Sequence, residues 1–405
     1  MIFRNLLHVY LLLSLTSLFF VKKLGFPSLY DDLLFLCCFF ILLTSSSLLI
    51  RFGKLFAISL ACSAFILFLS IVVSSNNIPL EYVYWDYIHP FLIIFVFYNS
   101  FDSISSVKHF LEQQCRFVLF LTLSWLVLAL FVPFFDFSNV ATSDSGPDSL
   151  RIGAFIGNPN TLAYILLLFY PISLIPVFDI NIKISFWKLF PASAYIFLIF
   201  LTTSRSAFLL LIALSALMIF NFSNRLRLAW VLKLFTLFLF GFFPVLLFVY
   251  NKGILLVDRF SLMLLTDSAR FILWENFRDL YSSFSYQQQL FGSGPSLLGR
   301  IEGVIFDSYY YKILLELGII GLACYILIIC SISFLSTRYY LMLSVRSFSL
   351  YSFGFIFPSS CLIVLVAGYS SQIIDVFPFN IYFFSLCGMS LKFIRLAKTQ
   401  VLKNG

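Results

Sequence analysis

Long runs of apolar residues, separated by short polar segments, recur along almost the whole chain. A run of about 20 apolar residues forms a helix long enough to span a bilayer. The runs predict an all-α, polytopic integral membrane protein with about twelve transmembrane helices. The predicted spans are 5–21, 29–50, 55–73, 83–100, 116–135, 160–178, 186–203, 206–220, 228–250, 308–335, 348–369 and 373–394.

Composition strengthens this prediction. Hydrophobic residues make up 61% of the 405 residues and charged residues only 11%, whereas soluble domains are roughly half apolar and about a quarter charged. A soluble fold could not hide so much apolar surface, and a disordered chain would carry far more charge. The sequence therefore predicts a single membrane domain over residues 1–405.

The distribution of charge predicts the orientation. The net charge is +8, from 26 Lys and Arg against 18 Asp and Glu. With twelve spans, most of the basic residues fall on one side if both termini are cytoplasmic, as the positive-inside rule requires. No basic run with interleaved aromatic residues occurs, so nucleic acid is not an expected partner. The eight Cys and three His lack zinc-ligand spacing, and no metal is expected there.

Two long loops, at about 136–159 and 251–307, lie on the opposite, extracytoplasmic side. Long loops in compact proteins are usually functional or disordered. The second loop carries Trp274, Phe277 and Tyr281 at helical spacing. This pattern predicts an amphipathic helix at the membrane surface.

Three arginines, Arg151, Arg205 and Arg270, fall at this outer face. Guanidinium groups match phosphate oxygens in a bidentate fork, so the three could form a positive pocket for an anionic lipid head group. They could instead snorkel or pair with the acids of the outer loops. The pattern alone leaves both interpretations open.

The segment around Asn158 and Asn160 predicts a helix start at the same face. Asn158 and Asn160 can cap, Pro159 pre-sets a turn, and Thr161 opens the apolar run. Free N–H groups at a helix start form an anion site, although the same residues also describe an ordinary start of a helix.

A second helix start follows the loop at 251–307. Four glycines predict a flexible approach to it: Gly292, Gly294, Gly299 and Gly303. Asp307 could act as a general base or only cap the helix. The tyrosines at 309–311 are typical of an interfacial aromatic belt. Glu316 lies inside the apolar run, where an ion is a functional candidate, but a pair with Lys312 would explain it equally well.

At these residues the chain resembles the O-antigen polymerase and ligase family of bacterial membrane proteins, the Wzy/WaaL type. Three segments within about 150–325 carry the likeness: RIGAFIGNPNTLA, TTSRSAFL, and the stretch from SARFILWENF through GSGPS to DSYYYKILLELGIIGL. The last segment has Asp307-Ser308 where ligases carry His-Asn, which favours a polymerase. The matched positions are Arg151, Asn158, Pro159, Asn160, Ala163, Arg205, Arg270, Trp274, Gly292, Gly294, Asp307, Tyr310, Glu316, Gly318 and Gly321.

The resemblance implies a GT-C-like glycosyltransferase of the bacterial inner membrane that works without metal or cofactor. It would join oligosaccharide repeat units linked to undecaprenyl diphosphate, inverting the anomeric configuration. It implies catalytic roles for Asp307, Arg270 and Arg205. It also implies membrane lipid and a chain-length regulator protein as partners. The implied substrate-binding residues are Arg151, Asn158, Asn160, Trp274, Tyr310 and Glu316.

Three alternatives stay open on the sequence. An O-antigen ligase, acting on a lipid A-core or protein acceptor, is the nearest within the family. A polysaccharide flippase would also be polytopic and basic, but would place its charges at mid-helix. A metal-dependent transferase would use the adjacent carboxylates Asp31 and Asp32, which could hold a divalent cation.

Overall fold

The computed structural model of the chain describes residues 4–14, 89–131, 156, 158–178, 186–202, 204–223, 268–294, 308–344, 354–370 and 378–403. Within these ranges the structure is helical and contains no strand, which confirms the all-α prediction for them. In chain order the helices are α1 4–14, α2 His89–Asn99, α3 Ile104–Phe131, α4 Pro159–Phe178, α5 Phe186–Leu201, α6 Arg205–Ser223, α7 Ser268–Ser282, α8 Tyr286–Phe291, α9 Tyr309–Ser344, α10 Ile356–Ser370 and α11 Phe379–Lys403.

The helices follow most of the predicted spans that fall within the described ranges. Helix α3 begins at Ile104 rather than near 116, because polar residues continue the helix before the apolar run. Lys108 and Glu112, four residues apart, approach to 4.0 Å on these first turns and support helix there. The predicted spans 29–50, 55–73 and 228–250 lie outside the described residues.

Two described helical segments, Ile104–Leu128 with 25 residues and Tyr309–Arg338 with 30 residues, are long and apolar enough to cross a membrane. Both also expose large apolar side chains. Phe120 is 67% exposed and Phe334 is 64% exposed. A helix in water would leave such surface uncovered at a free-energy cost, whereas lipid solvates it.

The chain separates into two compact units. Unit 1 comprises Met1–Ile41, Ser103–Leu265 and Tyr340–Ser359, and unit 2 comprises Leu42–Asp102, Thr266–Tyr339 and Ser360–Gly405.

Helix α4 is the centre of unit 1. Its side chains from Thr161 to Leu174 are buried on every face, because α3, α5 and α6 pack around it. A helix that is apolar all round is stable only when it is enclosed in this way. The hydroxyl of Tyr195 on α5 donates to the Cys115 carbonyl on α3 at 2.7 Å and joins two of the surrounding helices.

In unit 2 the helices α2 and α11 pack closely along their length. Gly388 of α11 makes this possible, because a Cβ there would lie 2.5 Å from the carbonyl oxygen of Ile94 and 2.9 Å from the Cβ of Phe97. Small residues allow helix backbones to approach closely in membrane proteins. Any larger residue at 388 would force the two helices apart.

Candidate functional site

The start of α4 is a capped helix N-terminus. The Oδ1 of Asn158 accepts hydrogen bonds from the backbone N–H groups of Asn160 at 3.0 Å and Thr161 at 3.3 Å. Pro159 occupies the first helical position, where its missing N–H costs nothing. The predicted helix start is therefore confirmed, and the positive end of the α4 dipole lies at Asn158.

Arg205 is the first residue of α6 and is partly buried. Helix α5 ends at Leu201, so only three residues separate the two helices. The carbonyl of Ser204, a buried residue, accepts from the N–H of Phe208 at 3.0 Å and begins the α6 hydrogen-bond ladder. A guanidinium group thus lies at a helix N-terminus, where the dipole adds to its positive charge.

Two hydroxyl contacts place the starts of α4 and α6 side by side. Tyr164 donates to the Oγ of Ser206 at 2.7 Å, and further along the same helices the hydroxyls of Tyr170 and Ser215 lie 2.8 Å apart. Because the contacts follow the same order on both helices, α4 and α6 run parallel. Their N-termini therefore lie at the same end of unit 1.

Unit 1 thus brings together three of the predicted site residues, Arg205, Asn158 and Asn160. Two helix N-termini and a guanidinium at one end favour an anion. The side-chain hydroxyl of Thr161 adds a donor there. It is 1% exposed and has no hydrogen-bond partner among the described residues, and helical side chains tilt toward the helix start.

In unit 2 the amphipathic helix predicted around Trp274 is present as α7. A tight turn joins it to α8. The turn is fixed by a capping box, in which Ser285 accepts from the Gln288 N–H and the Gln288 side chain accepts from the Ser285 N–H at 3.0 Å. The hydroxyl of Tyr281 donates to the Gln289 carbonyl at 3.2 Å. Desolvation raises the pKa of Tyr281, although a tyrosine hydroxyl is already protonated at neutral pH at its ordinary pKa.

The turn at 292–294 after α8 donates hydrogen bonds to α9 just before a break in that helix. We call this contact between the turn at 292–294 and residues 315–318 the clasp. Gly318 has φ +70° inside α9, which interrupts the helix. The N–H of Ser293 donates to the Leu315 carbonyl at 2.9 Å, and the N–H of Gly294 donates to the Glu316 carbonyl at 3.1 Å. Lipid offers no donors to a broken helix, so protein groups must supply them. The turn at 292–294 does so, so hydrogen bonds hold the first part of the approach that the sequence predicts to be flexible, whereas Gly299 and Gly303 lie outside the described residues.

Gly292 and Gly318 face each other's backbone across this clasp. A Cβ on Gly292 would lie 2.1 Å from the Glu316 carbonyl oxygen, and a Cβ on Gly318 would lie 2.2 Å from that of Leu290. Both residues have positive φ, which side-chain-bearing residues rarely adopt. Only glycine fits either position without strain.

Glu316 lies at the centre of this clasp. Its residue exposure is 0%, and its own carbonyl accepts from the turn. A buried carboxylate in an apolar helix is expensive and marks a functional position by default. The structure therefore places the predicted candidate Glu316 two residues before the break at Gly318.

Aromatic and hydroxyl contacts fix the start of α9. Phe277 of α7 stacks on Tyr311 with ring centroids 4.1 Å apart, so Trp274, which is partly buried, lies on a helix that contacts α9. On the side of α10 the Tyr310 hydroxyl donates to the Leu365 carbonyl at 2.5 Å. The Oγ of Ser308 donates to the Gly368 carbonyl at 3.1 Å.

The structure does not describe the side chains of the other predicted site residues. Asp307 and Arg151, and the adjacent carboxylates Asp31 and Asp32, lie outside the described residues. Arg270 lies within α7, but its side chain is not among those described. These roles therefore stay predictions from the sequence.

Sequence reasoning missed the break at Gly318, since it predicts an uninterrupted span over 308–335. The sequence did carry a signal for it: inside an apolar run, Gly318 follows the acidic residue Glu316 by two positions, and Gly321 comes three residues later. Ser293 was also missed. Its Oγ donates to the Leu315 carbonyl at 3.0 Å, so the side chain and the backbone of one residue meet the same acceptor.

No protein-family model matches the chain, and a comparison with characterised proteins likewise finds no match.

Proposed function

We propose that the protein is an O-antigen, or related surface-polysaccharide, polymerase. It joins oligosaccharide repeat units carried on undecaprenyl diphosphate at the outer face of the bacterial inner membrane. The observation that carries this proposal is the positive end of unit 1, where Arg205 begins α6 beside the Asn158-capped start of α4. A lipid diphosphate is an anion of the kind that such an end favours.

The reaction is a single displacement. A hydroxyl oxygen of the acceptor repeat unit attacks the anomeric carbon of the donor and forms the new glycosidic bond. The bond from that carbon to the diphosphate oxygen breaks, its electron pair leaves with undecaprenyl diphosphate, and the configuration inverts. The hydroxyl proton passes to the Asp307 carboxylate as general base.

Arg205 and the helix starts beside it would stabilise the negative charge that develops on the leaving diphosphate. Preorganised donors aimed at a developing charge are usually the largest single contribution to catalysis. Arg151 and Arg270 are proposed from the sequence to share this role, and Asn158 and Asn160 are proposed to bind substrate. Fixed guanidinium groups would make a divalent cation unnecessary.

Trp274, Tyr310 and Glu316 of unit 2 are proposed as substrate-binding residues. Trp274 and Tyr310 offer aromatic faces, and Glu316 offers a carboxylate at the break in α9. The residues around the clasp support this role, because a break in an apolar helix is tolerated where the backbone lines a protein-enclosed site.

The proposal places both termini in the cytoplasm and twelve spans in the inner membrane, in a GT-C-like arrangement. The described residues are helical and include two helices long enough to cross a membrane, which supports a membrane protein; the termini, the number of spans and the GT-C-like arrangement are proposed from the sequence. Membrane lipid and a chain-length regulator protein are the proposed partners.

The decisive experiment is gel banding of lipopolysaccharide from a deletion strain. A polymerase defect still permits ligation of one repeat unit, so we expect lipid A-core capped with a single unit. A ligase defect instead leaves no O-antigen on the core. Loss of the one-unit band, with long chains accumulating on undecaprenyl diphosphate, would assign the protein as a ligase and refute the polymerase.

Chelation separates the proposal from a metal-dependent transferase. Purified protein would be assayed with a synthetic lipid-linked repeat unit in EDTA, and again after Mg²⁺ or Mn²⁺ is restored. We expect activity to survive the chelator because arginines neutralise the diphosphate. Activity that vanishes in EDTA and returns with metal would favour Asp31 and Asp32 as ligands.

A further inference from the structure

A separate basic cluster lies in unit 2, where α11 passes the end of α2. The Nη1 of Arg395 donates to the hydroxyl of Tyr98 at 3.1 Å, and the Nζ of Lys392 lies 5.5 Å from the centroid of the same ring. Tyr98 is buried, whereas Lys392 is partly buried and Arg395 is exposed. Two cations are therefore held on one aromatic side chain at the edge of a packed helix pair.

Neither cation forms an ion pair with an acid in the described part of the chain. Within these ranges no carboxylate lies within salt-bridge distance of Lys392 or Arg395. Asp102 is the acid whose charge reaches Lys392, and it is exposed. Like charges one turn apart repel each other, so their convergence on Tyr98 favours a bound anion.

Near the end of α2, Asn99 donates to the Phe95 carbonyl at 2.9 Å and Ser100 donates to the Val96 carbonyl at 2.5 Å, so side chains of α2 itself meet these two carbonyls. Cations near a helix C-terminus often serve to satisfy such carbonyls. Here Arg395 uses one guanidinium N–H for Tyr98, and its other N–H groups can reach a ligand.

The position of the cluster along the helices points to a lipid. Helix α11 is free of charge from Phe379 to Leu391, and Lys392, Arg395 and Lys398 then follow. Such a change from apolar to basic residues marks the boundary between hydrocarbon and head groups. Basic pockets between helices at this level bind anionic phospholipid head groups.

We propose that Lys392 and Arg395, positioned by Tyr98, bind the phosphate of an anionic phospholipid. Arg395 supplies a planar fork to two phosphate oxygens, and Lys392 supplies a point charge. The Tyr98 ring keeps the two cations in place when the site is empty. This site is independent of the proposed polymerase activity.

The test measures lipid binding to the purified full-length protein in neutral detergent. Phosphatidylglycerol, zwitterionic phosphatidylcholine and inorganic phosphate would be titrated separately, with native mass spectrometry or thermophoresis as the readout. We expect phosphatidylglycerol to bind more tightly than either of the others. Saturation by inorganic phosphate, with no gain from the lipid, would assign a free anion and overturn the lipid.

Matched double variants control for net charge. K392Q/R395Q removes two positive charges at the cluster, and K108Q/R338Q removes two elsewhere in the chain. We expect the first to weaken phosphatidylglycerol binding by about tenfold or more, as loss of charge-assisted hydrogen bonds implies, and the second to change it little. Equal weakening in both, or none in the first, would overturn the site.

Tyr98→Phe keeps the proposal testable if the first double variant does not fold. It retains the ring beneath Lys392 and removes only the hydroxyl that anchors Arg395. We expect phosphatidylglycerol affinity to fall by about two- to tenfold, because the lost hydrogen bond positions Arg395 but does not itself contact the lipid. Unchanged affinity would show that Arg395 is not positioned by Tyr98 for the lipid.

Discussion

In unit 1 the candidate residues stand at the starts of two unbroken helices, whereas in unit 2 they surround a helix that is interrupted at Gly318. The start of α4 satisfies its own N–H groups through the adjacent Asn158 side chain. The break in α9 is satisfied by a turn remote in sequence, through Ser293 and Gly294. The start of α4 is thus capped by local hydrogen bonds, whereas the break in α9 is satisfied by a tertiary contact.

This difference predicts different sensitivities to mutation. A helix start tolerates loss of its cap because water or neighbouring groups can replace it, and the cost is about 1 kcal/mol. A break within an apolar helix leaves carbonyls that lipid cannot satisfy, so loss of the clasp carries a larger cost. Substitutions at the break in unit 2 should therefore lower stability, whereas substitutions at the helix starts in unit 1 should mainly lower activity.

The largest expected effect is at the break itself. Gly318→Ala adds a Cβ that would lie 2.2 Å from the Leu290 carbonyl oxygen, at a residue with φ +70°. Strain at the backbone and overpacking against it together should cost about 3 kcal/mol or more in the free energy of unfolding. The measurement is the folded fraction against SDS concentration in mixed micelles.

Ala323→Ser is the control for this change. It also adds one heavy atom to α9, but at an exposed position beyond the break. We expect it to change the free energy of unfolding by no more than about 0.5 kcal/mol, because a serine hydroxyl in a helix can donate to the carbonyl four residues before it. Equal stability of both variants would show that the clasp does not hold α9.

The next effect is at unit 1. Arg205→Lys keeps the positive charge but loses the planar fork, so binding of the diphosphate should weaken. A lost charge-assisted hydrogen bond of about 1.5–3 kcal/mol corresponds to a roughly ten- to hundredfold loss of polymerisation rate. The same change at Arg270 is expected to act in the same way.

Chain-length banding of lipopolysaccharide, at matched protein level, checks this prediction. Arg338→Lys is the matched control, because Arg338 is exposed on α9 and has no proposed role. The unfolding midpoint should stay near that of the parent in both variants. Normal banding in the Arg205→Lys strain would show that Arg205 only snorkels or pairs with an acid.

The same contrast explains what the sequence could predict. The apolar runs predicted the bounds of α4, α5 and α6 to within three residues, and Asn158-Pro159 predicted the start of α4, because both signals are local. The break at Gly318 depends on a turn at 292–294, and no local pattern shows which carbonyl a remote N–H will meet. The parallel placement of Arg205 beside Asn158 likewise depends on tertiary hydroxyl contacts at Tyr164 and Tyr170.

A smaller effect is expected at the two tyrosines that join α4 to α6 in unit 1. Tyr164→Phe and Tyr170→Phe each remove one hydroxyl contact between α4 and α6, at 2.7 Å and 2.8 Å. Each should cost about 0.5–1.5 kcal/mol in the free energy of unfolding. Only Tyr164 joins the helix starts, so only its variant should also shorten the polysaccharide chains. Equal chain lengths in both strains would refute the placement of the anion site.

The smallest expected effect is at the clasp, where Ser293 meets the Leu315 carbonyl twice. Its N–H and its Oγ donate to that oxygen at 2.9 and 3.0 Å. Ser293→Ala removes the second contact and keeps the first, so the free energy of unfolding should fall by about 0.5–1.5 kcal/mol, well below the loss in Gly318→Ala. Ser283→Ala is the control, because this exposed serine donates to the Leu280 carbonyl at 2.6 Å within its own turn, where water can replace it. If Ser283→Ala destabilised the protein as much as Ser293→Ala, the stability of the break would not depend on the remote turn, and the contrast between the two units would disappear.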